Sequence, residues 1–272
     1  MNKYLIKSLS TLFPKLVASF AYQQLTNPQI RKLRSHETLV LDKAVKHDFD
    51  FKGFNIKWYE WGQGEKEVLL IHGWEGQAGN FADLIESLLK KNYKVYAFDG
   101  PSHGYSSKGK TSLFEFTELV AVLIRKLGVK TLISHSFGGV ATTYALFQNL
   151  DLEIEKYLLL TTPDKFIERI NDVSHSIGIT EKVKDKLVRK LNKETNQNVH
   201  ALNVSDFVRQ INVAEGMIIH DRNDKVIPIE RSRNVHDNWP QARFAEVEGT
   251  GHFRILRDQA VLGAVLEFLE AG

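Results

Sequence analysis

The chain has 272 residues, 43% of them hydrophobic and 25% charged, a composition that fits one sizeable globular α/β core and excludes a disordered chain. Thirty-six basic residues stand against 33 acidic ones, and the formal charge of +3 comes with no extended basic block, which argues against a nucleic-acid partner. There is no cysteine, so disulfides, thiolate metal sites and cysteine nucleophiles are excluded together.

The opening stretch MNKYLIKSLSTLFPKLVASFAY is interrupted by Lys7, Ser8, Ser10 and the Pro14-Lys15 pair, so neither a cleaved leader nor a spanning helix is expected and a cytoplasmic protein is the reading. Leu5, Leu9, Leu12, Phe13, Leu16, Val17 and Phe20 recur at helical spacing and predict an amphipathic helix, kinked or restarted at Pro14. Its stripe is expected to dock on the protein's own body, with contact to a membrane surface as the alternative. Residues 1–46 are taken as an N-terminal helical segment.

From His47 the period changes to two. HDFDFKGFNIKWYEWG predicts a hairpin turning near Lys52-Gly53. The runs EVLLIHG, YKVYAFDG, KTLISHS, KYLLLTT and EGMIIHD have the near-continuous apolar character of parallel strands buried on both faces. Helical patterns at Phe81 to Lys91, Leu113 to Leu127 and Gly138 to Leu150 separate the first four, and this alternation predicts βαβ units in a mostly parallel, doubly wound sheet. After Thr162-Pro163 the alternation stops for about fifty residues of charge-rich helical sequence. That insertion is read as a helical lid, 164–213, between two parts of one core, 47–163 and 214–272; ARFAEVEG and a helix near Leu256 to Leu269 close the chain.

The densest signal is LISHSFGGVA, a β-type run, a serine and two glycines in ten residues. A serine on a sharp turn between strand and helix exposes its Oγ at the carboxyl end of the sheet, and small residues two positions to either side let strand and helix pass closely. Ser136 is so placed, with Ser134 where the G-x-S-x-G pattern has its first glycine and Gly138 where it has the second; Gly139 follows. A serine hydroxyl is a weak nucleophile at neutral pH and needs a base within reach and an acid to orient that base. Downstream strand ends offer Asp221 and Asp224 in HDRNDKVIP and His252 in GTGHFRIL. The order Ser, Asp, His is the one this architecture uses; Asp224, on the loop, is the better placed acid and Asp221 its rival.

With LLIHGW, FDGPSHGYS, SHSFGG, HDRNDKVIP and GTGHF in order at predicted strand ends, the chain resembles the α/β-hydrolases from about Ile56 to its end, apart from the lid. HGWEG with GHFRIL is similar to a group of small bacterial hydrolases, and HGW to the pimeloyl-carrier-protein methyl esterases. The resemblance implies an oxyanion hole from the backbone amides of Trp74 and Phe137, beside which Glu75 is expected to point to solvent or to a backbone amide. It implies structural loop roles for His72, His103 and Asp99, and leaves Asp164 as a minor alternative acid. The reading is a serine hydrolase of carboxylic esters with small to medium acyl groups, acting through an acyl-enzyme, without metal or cofactor. A thioesterase or carrier-protein ester hydrolase, or a non-catalytic ligand-binding relative, is the alternative. In the lid, Val183, Leu187 and Leu191 form an apolar stripe, and Lys182, Lys184, Lys186, Arg189, Lys190 and Lys193 crowd the rest of that helix.

Overall fold

The computed structural model describes residues 3–30 and 32–271. Helices α1 (Lys3–Leu12) and α2 (Pro14–Thr26) are separated at Pro14, which occupies the first turn of α2, where a missing amide hydrogen costs nothing. The restart changes the helical phase, and the predicted stripe does not hold as one face. Ile6, Ser10, Val17, Ala18 and Ala21 are buried, whereas Leu12 and Leu16 are 70% and 69% exposed and Phe13 is also exposed. The side chain of Leu5 lies outside the described residues. After α3 (Ser35–Asp42), the strands β1 (Val45–Phe51) and β2 (Phe54–Trp61) form the expected hairpin. Its turn has positive φ at both Lys52 and Gly53, the two-residue geometry that matches strand twist.

Then β3 (Lys66–Ile71), α4 (Ala82–Lys90), β4 (Tyr93–Phe98), α5 (Leu113–Leu127), β5 (Thr131–His135), α6 (Phe137–Gln148) and β6 (Ile154–Leu160) alternate as predicted. Residues 164–212 hold α7 (Phe166–Ile177), α8 (Glu181–Thr195) and the short α9 (Val204–Phe207). The chain ends with β7 (Val213–Asp221), α10 (Ile229–Asp237), β8 (Ala242–Val247), α11 (Gly251–Arg254) and α12 (Gln259–Glu270). The last helix begins at Gln259 rather than near Leu256 because Asp258 caps the amides of Ala260 and Val261.

The eight strands form one sheet in the order β1-β2-β4-β3-β5-β6-β7-β8, antiparallel at β1/β2 and β2/β4 and parallel elsewhere. Alternation of side chains across the pleat divides the core. Val68 and Leu70 of β3 pack with Leu84, Ile85 and Phe268 from α4 and α12, whereas Leu69 and Ile71 pack with Phe116, Leu123 and Val140 from α5 and α6. A sheet with apolar runs on both faces requires this double cover, and the cover leaves the carboxyl ends of β3, β5 and β7 as the place where loops can gather. Above those ends α2 packs along α8, and the ammonium of Lys190 lies 4.5 Å from the ring centre of Tyr22. No described helix is long and apolar enough to cross a membrane.

Candidate active site

Ser136 lies between the last residue of β5 and the first of α6, with φ +55° and ψ −123°, a conformation that costs a non-glycine residue about 1–3 kcal/mol. Its amide donates to Leu160 O at 3.0 Å, which ties the turn to the end of β6. The neighbouring small residues have separate tasks. A Cβ on Gly138 would stand 2.5 Å from His72 O and 2.6 Å from Ile71 O, so this glycine lets α6 pass the end of β3. A Cβ on Gly139 would meet Leu159 and Thr162 of the adjoining β6 region at 2.9 Å each. Ser134, in place of a glycine, is accommodated because its hydroxyl lies 3.0 Å from the phenol of Tyr157, which also donates to Gly139 O at 3.2 Å.

The structure brings Ser136, His252 and Asp224 together from three chain segments. His252 Nε2 lies 3.1 Å from Ser136 Oγ and His252 Nδ1 lies 2.8 Å from Asp224 Oδ2. A carboxylate oxygen only accepts, so Nδ1–H donates to Asp224 and the Nε2 lone pair faces the hydroxyl. The arrangement can carry a proton from the serine to the imidazole. Asp224 Oδ1 accepts the amides of Val226 and Ile227 at 2.6 and 3.0 Å. Burial alone would raise this carboxyl; the hydrogen bonds from His220 and His252 and the Ile227 amide outweigh it and hold Asp224 well below the ordinary carboxylate range.

Asp221 is occupied elsewhere. Its Oδ2 accepts from Thr250 N at 2.5 Å, Thr250 Oγ1 at 2.8 Å and Gly251 N at 2.8 Å, and its Oδ1 accepts from Asn223 N at 2.7 Å. The rival acid therefore fixes the turn that presents His252, and does not touch the imidazole. Asp164 is likewise committed, to Ser205 N at 2.9 Å and Asn234 Nδ2 at 2.5 Å.

Trp74 and Phe137 flank the serine, their rings edge to face at 5.2 Å. Phe137 N heads α6, and Trp74 N is the first inner amide of the turn closed by Gly76 N on Gly73 O at 2.9 Å. Neither amide has a hydrogen-bond acceptor among the described residues. Glu75, at φ +59°, turns away and accepts the amide of Gln29 at 3.2 Å, the backbone-amide role among those expected of it. His72 is fully engaged in the loops: its Nδ1–H donates to Gly73 O at 2.7 Å and its Nε2 accepts Gly100 N at 2.9 Å. His103 donates from Nδ1 to Pro101 O at 2.9 Å. Asp99 accepts Tyr59 Oη, Ala78 N and Tyr105 N at 2.8 Å each, as a loop organiser does.

Sequence reasoning missed three supporting residues. His135 is buried beside the serine and donates from Nε2 to the backbone carbonyl of His252 at 2.8 Å. His220 presents Nε2 to Ile227 O at 3.0 Å and to Asp224 Oδ2 at 3.5 Å, while its Nδ1 meets Ser232 Oγ at 2.6 Å. Tyr157 is the third, through its phenol's contacts with Ser134 Oγ and Gly139 O. A polar residue at the end of a buried apolar strand was the available signal for the first two, as in TLISH and GMIIHD.

Ser136 and His252 open into a cavity of about 810 Å3, toward the upper end for small-molecule sites. Its lining includes Ile6 of α1, Phe20 of α2, Phe114 of α5, Val140 of α6, Val173 and Ile177 of α7 and Leu191 of α8. The lid stripe of Val183, Leu187 and Leu191 is buried, but of the three only Leu191 reaches the cavity wall. Among the described residues, no group of three or more His, Asp or Glu side chains is arranged as metal ligands.

A family signature described as the alpha/beta hydrolase fold matches residues 66–195. The hydrolase YugF of Bacillus subtilis is 31% identical over 121 residues, 42% of this chain and 44% of YugF. The dihydrolipoyllysine-residue acetyltransferase component of the acetoin cleaving system of Cupriavidus necator is 32% identical over 103 residues, 36% of this chain. The match spans only 27% of that relative's length and under half of YugF. Among solved structures, Est1E of Butyrivibrio proteoclasticus, with ferulic acid bound, superposes with a TM-score of 0.65 at 17% identity, covering 83% of this chain and 100% of that one. By sheet order, by the strand-end position of its serine turn and by these likenesses, the chain is an α/β-hydrolase-fold protein.

Proposed function

We propose that the protein is a serine hydrolase of carboxylic esters. The observation that carries this reading is the unbroken series Asp224, His252, Ser136, at 2.8 and 3.1 Å, ending on a hydroxyl that faces a cavity able to hold a small molecule. In this reading His252 takes the serine proton as Oγ bonds to the ester carbonyl carbon, and the amides of Trp74 and Phe137 receive the charge that develops on the carbonyl oxygen. Two such donors are each worth about 3 kcal/mol in the transition state. The ester C–O bond breaks, His252 returns the proton to the departing alcohol, and a water molecule repeats the sequence on the acyl-serine to release the acid. Asp224, ionised under these conditions, fixes the imidazole tautomer and stabilises the imidazolium that forms.

Helices α7 and α8 are read as a lid, because they and α1–α2 supply much of the apolar wall above the serine. A fluorophosphonate probe followed by mass spectrometry tests the assignment. Labelling at Ser136, lost in Ser136→Ala together with hydrolysis of aryl esters, is expected. Absence of labelling in the folded protein would turn the reading to a non-catalytic ligand-binding relative.

A further inference from the structure

The cavity is polarised. Its inner wall is apolar, with Ile6, Val140, Leu191 and Val199 all buried, and its charged lining residues are five cations against two carboxylates. Of the cations, Lys32, Arg34, Lys165 and Arg169 are exposed and Arg257 is half-buried, so they stand where the cavity meets solvent. Both carboxylates are already satisfied, Glu37 by Arg34 at 2.8 Å and Asn80 at 3.1 Å, Glu75 by the Gln29 amide. Among the described residues Lys32, Lys165, Arg169 and Arg257 enter no ion pair.

Helix α7 separates charge in the same sense. Its acids Glu168 and Asp172 are held by Arg231 at 3.0 and 2.6 Å, whereas Phe166, Arg169, Val173 and Ile177, spaced three and four apart, line the cavity together with the preceding Lys165. Along that stripe the lining runs from cationic to apolar, with about 12 Å of axis between Arg169 and Ile177. A ligand that satisfies both ends has an apolar chain and an anionic head.

We propose that the cavity selects anionic amphiphiles, namely acyl esters whose chain lies in the apolar interior and whose departing alcohol carries a phosphate held by Lys165, Arg169 and Lys32. The proposal rests on the ester-hydrolase reading above. Hydrolysis leaves the fatty acid in the interior and releases the phosphate-bearing alcohol, with the proton from His252, through the basic mouth.

The test compares 1-octanoylglycerol 3-phosphate with 1-octanoylglycerol, each below its critical micelle concentration, since the two share acyl chain and scissile bond and differ by the phosphate. A ratio of kcat/KM favouring the phosphate ester by about tenfold or more is expected, falling toward unity in high salt. Lys165→Glu with Arg169→Glu is expected to lower that ratio about tenfold, and Lys165→Gln with Arg169→Gln to lower it less, in proteins whose melting curves show them folded. The same esters in phosphatidylcholine vesicles distinguish the source of the phosphate. A preference among monomers supports a free substrate, and one confined to vesicles supports a lipid headgroup. Equal rates for the two esters in both settings would overturn the proposal while leaving ester hydrolysis standing. If neither ester is cleaved, the hydrolase reading stands or falls on the fluorophosphonate and aryl-ester test, and calorimetric binding of octyl phosphate against octyl glucoside decides the present proposal. Tighter phosphate binding that is lost in the glutamate variant supports the polarised cavity, and equal binding overturns it.

Discussion

Two buried histidines next to the serine turn make stability fall in mild acid. His72 has one nitrogen donating to Gly73 O and the other accepting from Gly100 N–H, so a second proton on Nε2 would confront a donor. Burial lowers its pKa to about 4, and burial, then the neighbouring His252, lowers that of His135 to about 3. In the unfolded chain both return to about 6.5. Below that value the unfolded state binds protons that the folded state refuses, so stability is complete above about pH 6.5 and is lost as pH falls toward the folded pKa values. At pH 5 each histidine costs about 2 kcal/mol, about 4 kcal/mol together, against a total of about 5–15 kcal/mol for a typical domain. Asp221 and Asp224 do not confuse this window, because depressed carboxylates lose their contribution only as pH falls below about 4. Urea unfolding at pH 7.5, 6 and 5 measures the loss, and His135→Gln should remove about half of it. A midpoint unchanged between pH 7.5 and 5, or the same pH dependence in the variant, would refute the reasoning.

The two acids should separate by readout. Asp224→Asn can keep the Val226 and Ile227 amides on its carbonyl while its NH2 opposes His252 Nδ1–H, so kcat on an aryl ester should drop about 10³–10⁴-fold with little change in melting temperature. Asp221→Asn loses charge-assisted acceptors for Thr250 and Gly251 and should cost about 2–3 kcal/mol of stability; a larger fall in kcat than in Asp224→Asn would reverse the assignment. Gly138→Ala, whose Cβ meets two backbone oxygens, should cost about 1–3 kcal/mol and reduce activity, while Gly263→Ala on the outer face of α12, where a Cβ meets nothing, should stabilise by about 0.5–1 kcal/mol by urea titration.

The strands were legible because a sheet covered on both faces writes uninterrupted apolar runs, and the serine turn because its small residues leave a local mark. Both depend on residues close in sequence. What depends on distant pairs was not legible. The choice between Asp221 and Asp224 is decided by which carboxylate reaches a histidine 28 residues beyond Asp224, and HDRNDK alone presents both. Likewise Ser134 reads as a departure from the glycine pattern until Tyr157 supplies its hydroxyl partner. Helix α10 was missed for a different reason: IERSRNVHD carries too few apolar residues to show a period, and tertiary contacts hold it instead.

The N-terminal helices and the 164–213 insertion were read as separate additions to the core, yet they line one volume. Ile6 and Phe20 come from one end of the chain and Val173, Ile177 and Leu191 from the insertion, and all five line the same cavity. The two parts are joined by α2 along α8, and the N-terminal part is tied to the core by Thr111 N on Thr26 O at 2.8 Å and by the Gln29 amide on Glu75. Glu75 is adjacent to Trp74, one of the two amides assigned to the oxyanion. The chain before the first strand is therefore linked both to the apolar wall of the cavity and to the turn that carries the proposed oxyanion amide of Trp74. Under the proposed function, selectivity and chemistry at Ser136 share a physical support that begins outside the sheet.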